Sequence, residues 1–133
     1  MPPLNWLAIA VAIIIRMVVG TIWYSPVAFV KPWQALTGVT PESMQKGLGK
    51  AIVIDLVMSA IMAFALANII VASNITSWPN GAIAGAWLWL GFVLATHLPL
   101  WAYENRPLKL IAINAGSNLV SLVLMGGLLG AWH

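Results

Sequence analysis

The chain has 133 residues, of which 62% are hydrophobic and only 7% are charged. A water-soluble globule is normally about a quarter charged, so this composition excludes that class and indicates a protein whose solvent is lipid. The absence of cysteine excludes disulfides and thiolate metal sites, and the formal net charge of +3 gives no reason to expect a nucleic-acid partner.

Four apolar segments follow one another along the chain, and each is long enough to cross a bilayer as a helix at about 1.5 Å rise per residue. The predicted spans are about 4–24, 51–72, 81–103 and 108–132. The first segment has neither a basic stretch before it nor a small-residue cleavage site, so we interpret it as a retained span and not a signal peptide. The sequence therefore predicts one all-α domain over 1–133, a bundle of four transmembrane helices embedded in the lipid bilayer.

The connection 25–50 is the one sizeable segment outside the predicted spans. Within it Phe29, Trp33 and Leu36 recur at helical spacing, which predicts a short interfacial helix between spans one and two. The Thr-Pro-Glu sequence at 40–42 then has the cap, first-turn proline and acidic residue of another helix start.

Basic residues occupy two of the three connections and are absent from 73–80. Those in the first and third connections are Lys31, Lys46, Lys50, Arg106 and Lys109. Because basic residues near span ends stay on the cytoplasmic side, we expect the loops 25–50 and 104–109 in the cytoplasm and both termini outside.

Ionisable side chains inside the spans are the clearest candidates for a site, since each costs roughly 2.5–3.5 kcal/mol at a helix centre. Arg16, Asp55 and His97 all fall roughly 7–11 Å inside the predicted cytoplasmic boundary, so they can meet in one layer. Span four contributes a polar stripe at the same depth, whose members lie three or four residues apart on one face: Asn114, Ser117, Asn118 and Ser121.

Three interpretations of this polar layer stay open. Arg16 and Asp55 can form a structural ion pair that an asparagine helps to satisfy, with His97 as a neutral, hydrogen-bonded core residue. Alternatively, the layer is functional and binds a small ligand or relays protons. In the third interpretation Arg16 snorkels toward the headgroups and Asp55 lies at the interface.

Two pairs of glycines, each pair four residues apart, mark one side of spans three and four. They are Gly81, Gly85, Gly126 and Gly130. Small residues let helices approach closely in lipid, so the pattern predicts a helix-packing seam, within the bundle in preference to an oligomer contact. The deep tryptophans Trp87 and Trp89 are expected to pack within the bundle or against a partner.

Metal and catalytic chemistry find little support. The two histidines, His97 and the terminal His133, cannot assemble a cluster of metal ligands within one chain. A single imidazole suffices for axial ligation, so His97 with nearby Trp101 is a minor candidate for holding a haem or chlorophyll-type ring. The sequence contains no paired carboxylates, nucleophile elbow or phosphate loop, so no cofactor and no enzymatic activity are predicted.

The end of span one carries an aromatic–Ser-Pro motif with a lysine and a tryptophan downstream. Its residues are Trp23, Tyr24, Ser25, Pro26, Lys31 and Trp33. Together with the segments 89–92, 104–110 and 127–132, the motif resembles the domain of unknown function 1761 family of small bacterial membrane proteins. The resemblance implies a four-helix protein of the bacterial inner membrane, and it carries no activity with it. Its aromatic pair is expected to anchor the span at the inner boundary while Ser25-Pro26 ends the helix.

Three functions compete on this evidence. The first is a helix bundle that acts by association, as a homo-oligomer or as an accessory subunit of a larger membrane complex. The second is a conduit for an ion or small solute through the polar layer, in which Arg16 favours anions. The third is a binder of a pigment, haem or quinone near His97.

Overall fold

The computed structural model describes residues 4–25 and 28–132, which form helices joined by short turns, with no strand among them. The all-α prediction is confirmed. The elements in chain order are α1 (Trp6–Trp23), α2 (Val30–Thr37), α3 (Pro41–Lys46), α4 (Leu48–Ala72), α5 (Trp78–Leu88), a π-helical segment (Trp89–Leu94), α6 (Ala95–Glu104) and α7 (Leu108–Ala131).

Four helices in the described part of the chain are long and apolar enough to cross a membrane. Three of them are α1, α4 and α7, and the other is the continuous run Trp78–Glu104 made of α5, the π segment and α6. Their ends differ from the predicted spans by at most three residues. The largest differences are the starts at Leu48 and Trp78, each three residues earlier than predicted.

The connection between α1 and α4 contains the two short helices that the sequence indicated. Helix α2 is followed by its C-cap Gly38, whose φ of +75° is a left-handed conformation that glycine adopts without strain. Helix α3 is preceded by its N-cap Thr40, whose hydroxyl accepts a hydrogen bond from the Ser43 N–H at 3.1 Å. A single residue, Gly47, separates α3 from α4, so the two helices do not merge.

Helix α7 is the central element of the bundle. Twelve of its residues are buried, compared with five of α4, three of α1 and two of α5. It packs against α1, α4, α5, α6 and the π segment, and α2 also contacts it. At the chain ends, the Asn5 amide nitrogen lies 3.5 Å from the Trp132 carbonyl oxygen, so the start of α1 and the end of α7 share one face of the bundle.

The predicted glycine seam joins α5 to α7 within the chain. A β-carbon added at Gly81 would overlap the Gly126 carbonyl oxygen, and one at Gly85 would overlap the Leu122 carbonyl oxygen. A β-carbon at Gly130 would meet the Ser77 carbonyl in the same way. The two backbones therefore touch directly, which only glycine permits, and these glycines face each other and not an outer surface.

The two deep tryptophans behave differently. Trp89 begins the π segment and donates its indole N–H to the Ala115 carbonyl oxygen at 2.7 Å. It therefore packs within the bundle, which is one of the two positions expected for it. Trp87 is 68% exposed on the outside of the bundle. Further along, Pro99 lies inside α6 and supplies no N–H to the helix.

We expect Gly85→Leu to abolish accumulation of the folded protein, because the side chain has to force α5 and α7 apart against backbone atoms. The matched control is Gly91→Leu, since a β-carbon at Gly91 meets nothing within 4 Å. Membrane abundance and gel-filtration profile in mild detergent measure the difference. Equal yields of the two variants would contradict the seam.

Candidate functional site

An ion pair joins α1 to α4 inside the bundle. Arg16 Nη1 lies 2.7 Å from Asp55 Oδ1 and also donates a hydrogen bond to the Ser59 hydroxyl oxygen at 2.7 Å. The Arg16 side chain is 17% exposed and that of Asp55 is 45% exposed. A charge-assisted hydrogen bond of this length is among the stronger polar contacts a protein makes, so the pair fixes where the two helices meet.

The pair leaves much of the guanidinium group without an acceptor. Both hydrogen bonds use Nη1, although a guanidinium group carries five N–H donors. The Nε atom of Arg16 is buried and has no hydrogen-bond partner among the described residues. A buried donor that lacks an acceptor costs about 1–3 kcal/mol, and more when the group is charged. Arg16 is thus held inside the bundle with unused donor capacity.

A polar cavity of about 190 Å³ lies beside this ion pair, between α1, α4 and α7. At about 30 Å³ per water, the cavity has room for about six water molecules. Pockets for drug-sized ligands start at about 300 Å³, so this cavity suits only a small solute. Its lining residues are Arg16, Gly20, Tyr24, Asp55, Asn114, Ser117, Asn118 and Ser121.

Helix α7 supplies the uncharged polar wall of the cavity. Its four polar residues lie three or four positions apart, so the helix presents them together, as the sequence predicted. Asn114 Oδ1 accepts a hydrogen bond from the Tyr24 hydroxyl at 2.7 Å, and Asn118 Nδ2 donates to the Asn114 carbonyl oxygen at 3.3 Å. These bonds leave the Asn114 amide N–H groups and the Asn118 amide oxygen available to a solute.

The aromatic motif at the end of α1 borders this site through Tyr24, which lines the cavity. Besides the Tyr24 bond, Trp23 donates its indole N–H to the Ile113 carbonyl oxygen at 2.8 Å. The Trp23 ring lies 4.7 Å from the Phe29 ring, and the Tyr24 ring lies 5.5 Å from the Trp33 ring in an edge-on arrangement. The motif therefore ties α1 and α2 to α7, a role that the expected boundary anchoring did not include.

Three further residues of the motif complete its description. The Ser25 hydroxyl donates to the Ile22 carbonyl oxygen at 2.6 Å, just past the end of α1. Lys31 is exposed on α2. Pro26 lies outside the described residues, so its expected part in ending the helix stays a prediction.

His97 does not line the cavity. Its Nδ1 atom lies 2.8 Å from the Val93 carbonyl oxygen, one turn back in the same long helix, and the nearby Thr96 hydroxyl also bonds the Val93 carbonyl oxygen. These local contacts hold the ring against its own helix, so the expected meeting of His97 with Arg16 and Asp55 does not occur in this structure. Axial ligation of a tetrapyrrole by His97 stays a prediction. Among the described residues, no three His, Cys, Asp or Glu side chains cluster as metal ligands.

Two residues of the site have a role that the sequence only hinted at. Ser59 lies one helical turn after Asp55, and its hydroxyl is the second acceptor of the Arg16 guanidinium, in the place expected for an asparagine. Tyr24 lies two turns after Arg16 and reaches α7 from the same helix. The signal for both was their spacing of four or eight residues from a charged residue, which places them near the same helix face.

Removing the Tyr24 hydroxyl should weaken the link between α1 and α7. We expect Tyr24→Phe to lower the free energy of unfolding by about 1 kcal/mol, the size of an interhelical hydrogen bond in a membrane protein. Tyr103→Phe is the matched control, because Tyr103 is 88% exposed. Thermal unfolding in mild detergent compares the two variants. Equal stability losses, or none, would show that the Tyr24–Asn114 bond does not hold the helices together.

The comparisons with known proteins identify a family and nothing closer. No curated protein and no solved structure matches the chain. The family described as "Protein of unknown function (DUF1761)" matches residues 7–130, which include every residue that lines the cavity. The match confirms the resemblance drawn from the aromatic–Ser-Pro motif, and the chain belongs to the DUF1761 family.

Proposed function

We propose that this protein crosses the bacterial inner membrane four times and binds a small polar solute in the Arg16 cavity, as one step in moving that solute across the membrane. The observation that carries the proposal is an ion pair with unused guanidinium donors beside a solute-sized polar cavity, in a bundle whose other end is apolar. An ionisable group in such a place costs stability, so by default it marks a ligand or ion pathway.

The arrangement of the core supports access to the cavity from one side. Arg16 lies seven residues before the end of α1, which puts it about 10 Å from that end of the bundle. Toward the other end, small and apolar side chains fill the centre: Ala8, Ile9, Ala12, Ala63, Leu66, Ala67, Ile70, Leu122, Met125 and Leu129. Movement of a solute across the membrane would therefore require this apolar core to rearrange, as in a carrier that opens to its two sides in turn.

The competing proposal is a protein that acts by association, as a homo-oligomer or an accessory subunit. The glycine pairs do not add to it, because they are engaged in the α5–α7 seam within one chain. Exposed apolar side chains such as Trp87 and Phe92 do not favour a partner, because bilayer lipid covers such residues equally well.

The polar cavity is tested by removing both charges together. Arg16→Gln alone would leave the Asp55 carboxylate without its partner, so its effect would mix folding with function. We expect the free energy of unfolding of the double variant Arg16→Gln/Asp55→Asn to stay within about 2 kcal/mol of the wild-type value, because neither charge is left without its partner. Reconstituted into liposomes, it should have lost the solute uptake that the wild type shows.

The solutes to screen in that assay are acetate, inorganic phosphate, glycerol and methylammonium, which sample anionic, neutral and cationic classes. A wild type that takes up none of them, or a folded double variant that takes them up unchanged, would overturn the proposed function. In the second case the pair is a structural link between α1 and α4 only.

The proposed orientation has its own test, because the chain contains no cysteine. Single cysteines replace Thr76 and Gln45, which are both exposed and lie in different connections. We expect a membrane-impermeant maleimide to label Thr76→Cys in intact cells and Gln45→Cys only after lysis, because the basic loops stay in the cytoplasm. The opposite labelling pattern would invert the topology.

A further inference from the structure

We infer that the Arg16 cavity is selective for a small oxyanion, such as a short-chain carboxylate. The inference rests on the proposed function and specifies the solute that the cavity takes. It comes from the donors that the cavity offers, from the permanent charge of Arg16, and from the size of the cavity.

Several donors at the cavity have no acceptor among the described residues. The N–H groups on Nη2 of Arg16 donate to no described residue, and the Asn114 amide nitrogen has two hydrogens available once its oxygen accepts from Tyr24. The Asn118 amide oxygen and the second carboxylate oxygen of Asp55 are acceptors at the same wall. The hydroxyls of Ser117 and Ser121 can serve in either role. A ligand with acceptor oxygens satisfies the unused donors.

The two charges of the ion pair differ in burial. Arg16 is 17% exposed and Asp55 is 45% exposed, so the guanidinium group is the more enclosed of the two. The guanidinium group cannot lose its proton in a protein, so its charge is permanent. We therefore expect the unused donors of Arg16 to favour an anionic solute over a cationic one such as an ammonium ion.

The shape of the guanidinium group adds a preference among anions. Its Nε and Nη2 atoms form the edge that binds both oxygens of a carboxylate, or two oxygens of a phosphate, in parallel. Nη1, on the other side, is already held by Asp55 and Ser59. Nε is buried, so an acceptor reaches it only after the Arg16 side chain moves, whereas Nη2 is not buried. An oxyanion offers two oxygens to this edge of the guanidinium group, and a halide offers none.

The volume limits the size of the anion. About 190 Å³ accommodates a carboxylate of a few carbons with one or two waters, and excludes a long acyl chain or a nucleotide. Gly20 sets part of this limit, because it lines the cavity and a β-carbon built there meets nothing within 4 Å. We therefore expect a larger side chain at position 20 to take up volume at the cavity wall.

The experiment measures the uptake of labelled acetate, glycerol and methylammonium into liposomes that contain the full-length protein. We expect acetate uptake by the wild type to exceed that of glycerol and methylammonium by about 10-fold or more, because charge-assisted hydrogen bonds form to the anion alone. Inorganic phosphate added in excess should compete with acetate, and chloride at the same concentration should compete far less.

Two variants show whether the selectivity comes from this cavity. Arg16→Lys keeps the charge and removes the edge that binds two oxygens in parallel. We therefore expect acetate uptake by this variant to discriminate against chloride, added as a competitor, about 10-fold less than wild-type uptake does. Gly20→Leu places a side chain at the cavity wall, where its β-carbon meets nothing within 4 Å, and we expect it to abolish uptake. Gly91→Leu, whose position is equally open but does not line the cavity, should transport normally. Thermal unfolding verifies that each variant is folded.

The outcomes separate this inference from the proposed function. Uptake of glycerol or methylammonium that equals or exceeds that of acetate, and that Gly20→Leu abolishes, would overturn oxyanion selectivity while leaving the cavity as a solute site. Uptake of acetate that Gly20→Leu leaves unchanged would overturn the inference, because the anion would pass elsewhere. No uptake of any solute by the folded wild type would overturn both.

Discussion

The contact between Arg16 and Asp55 is the constraint around which the rest of the structure is arranged. A lone guanidinium group inside an apolar bundle is unfavourable, and the carboxylate of α4 at 2.7 Å together with the Ser59 hydroxyl compensates part of that cost. The remaining donors face a region where α7 places asparagine and serine side chains. The polar groups therefore gather between three helices, while apolar side chains fill the other end of the bundle.

Helix α7 connects this polar region to the overall packing. On the side of the glycine seam, the backbone of α7 touches α5 directly. In the polar region, the Asn114 side chain accepts a hydrogen bond from Tyr24, and two backbone carbonyl groups of α7 accept from Trp23 and Trp89. Helix α7 is thus held by backbone contact on one side and by aromatic donors near the cavity. The cavity wall it provides is accordingly well defined, which a selective site requires.

Much of the fold could be predicted from the sequence, because the long apolar segments and their Gly, Pro and Asn breaks are local signals. The shared depth of Arg16 and Asp55 followed from counting residues from the span ends, and the alignment of the α7 stripe followed from helical periodicity. The glycine seam was also readable, since pairs of glycines four residues apart leave room for a second backbone.

The rest of the site depends on how the helices are rotated and on short-range choices of individual side chains. Depth alone suggested that His97 joins the layer, but its ring bonds the Val93 carbonyl of its own helix. Ordinary boundary aromatics and the Trp23–Tyr24 pair look alike in sequence, and only the structure places the pair against Ile113 and Asn114. The π segment at Trp89–Leu94 has no simple sequence signal, although it sets the position from which Trp89 reaches α7.

Solid-state NMR of the protein in lipid bilayers tests the central claim most directly, through dipolar couplings to the ¹⁵N-labelled guanidinium group of Arg16. The account predicts a strong coupling to the Asp55 carboxylate carbon, as expected for a 2.7 Å contact between nitrogen and oxygen, and a second coupling when ¹³C-carboxyl acetate is added. An Arg16 that couples to lipid phosphate and not to Asp55, or that never senses the added acetate, would contradict it.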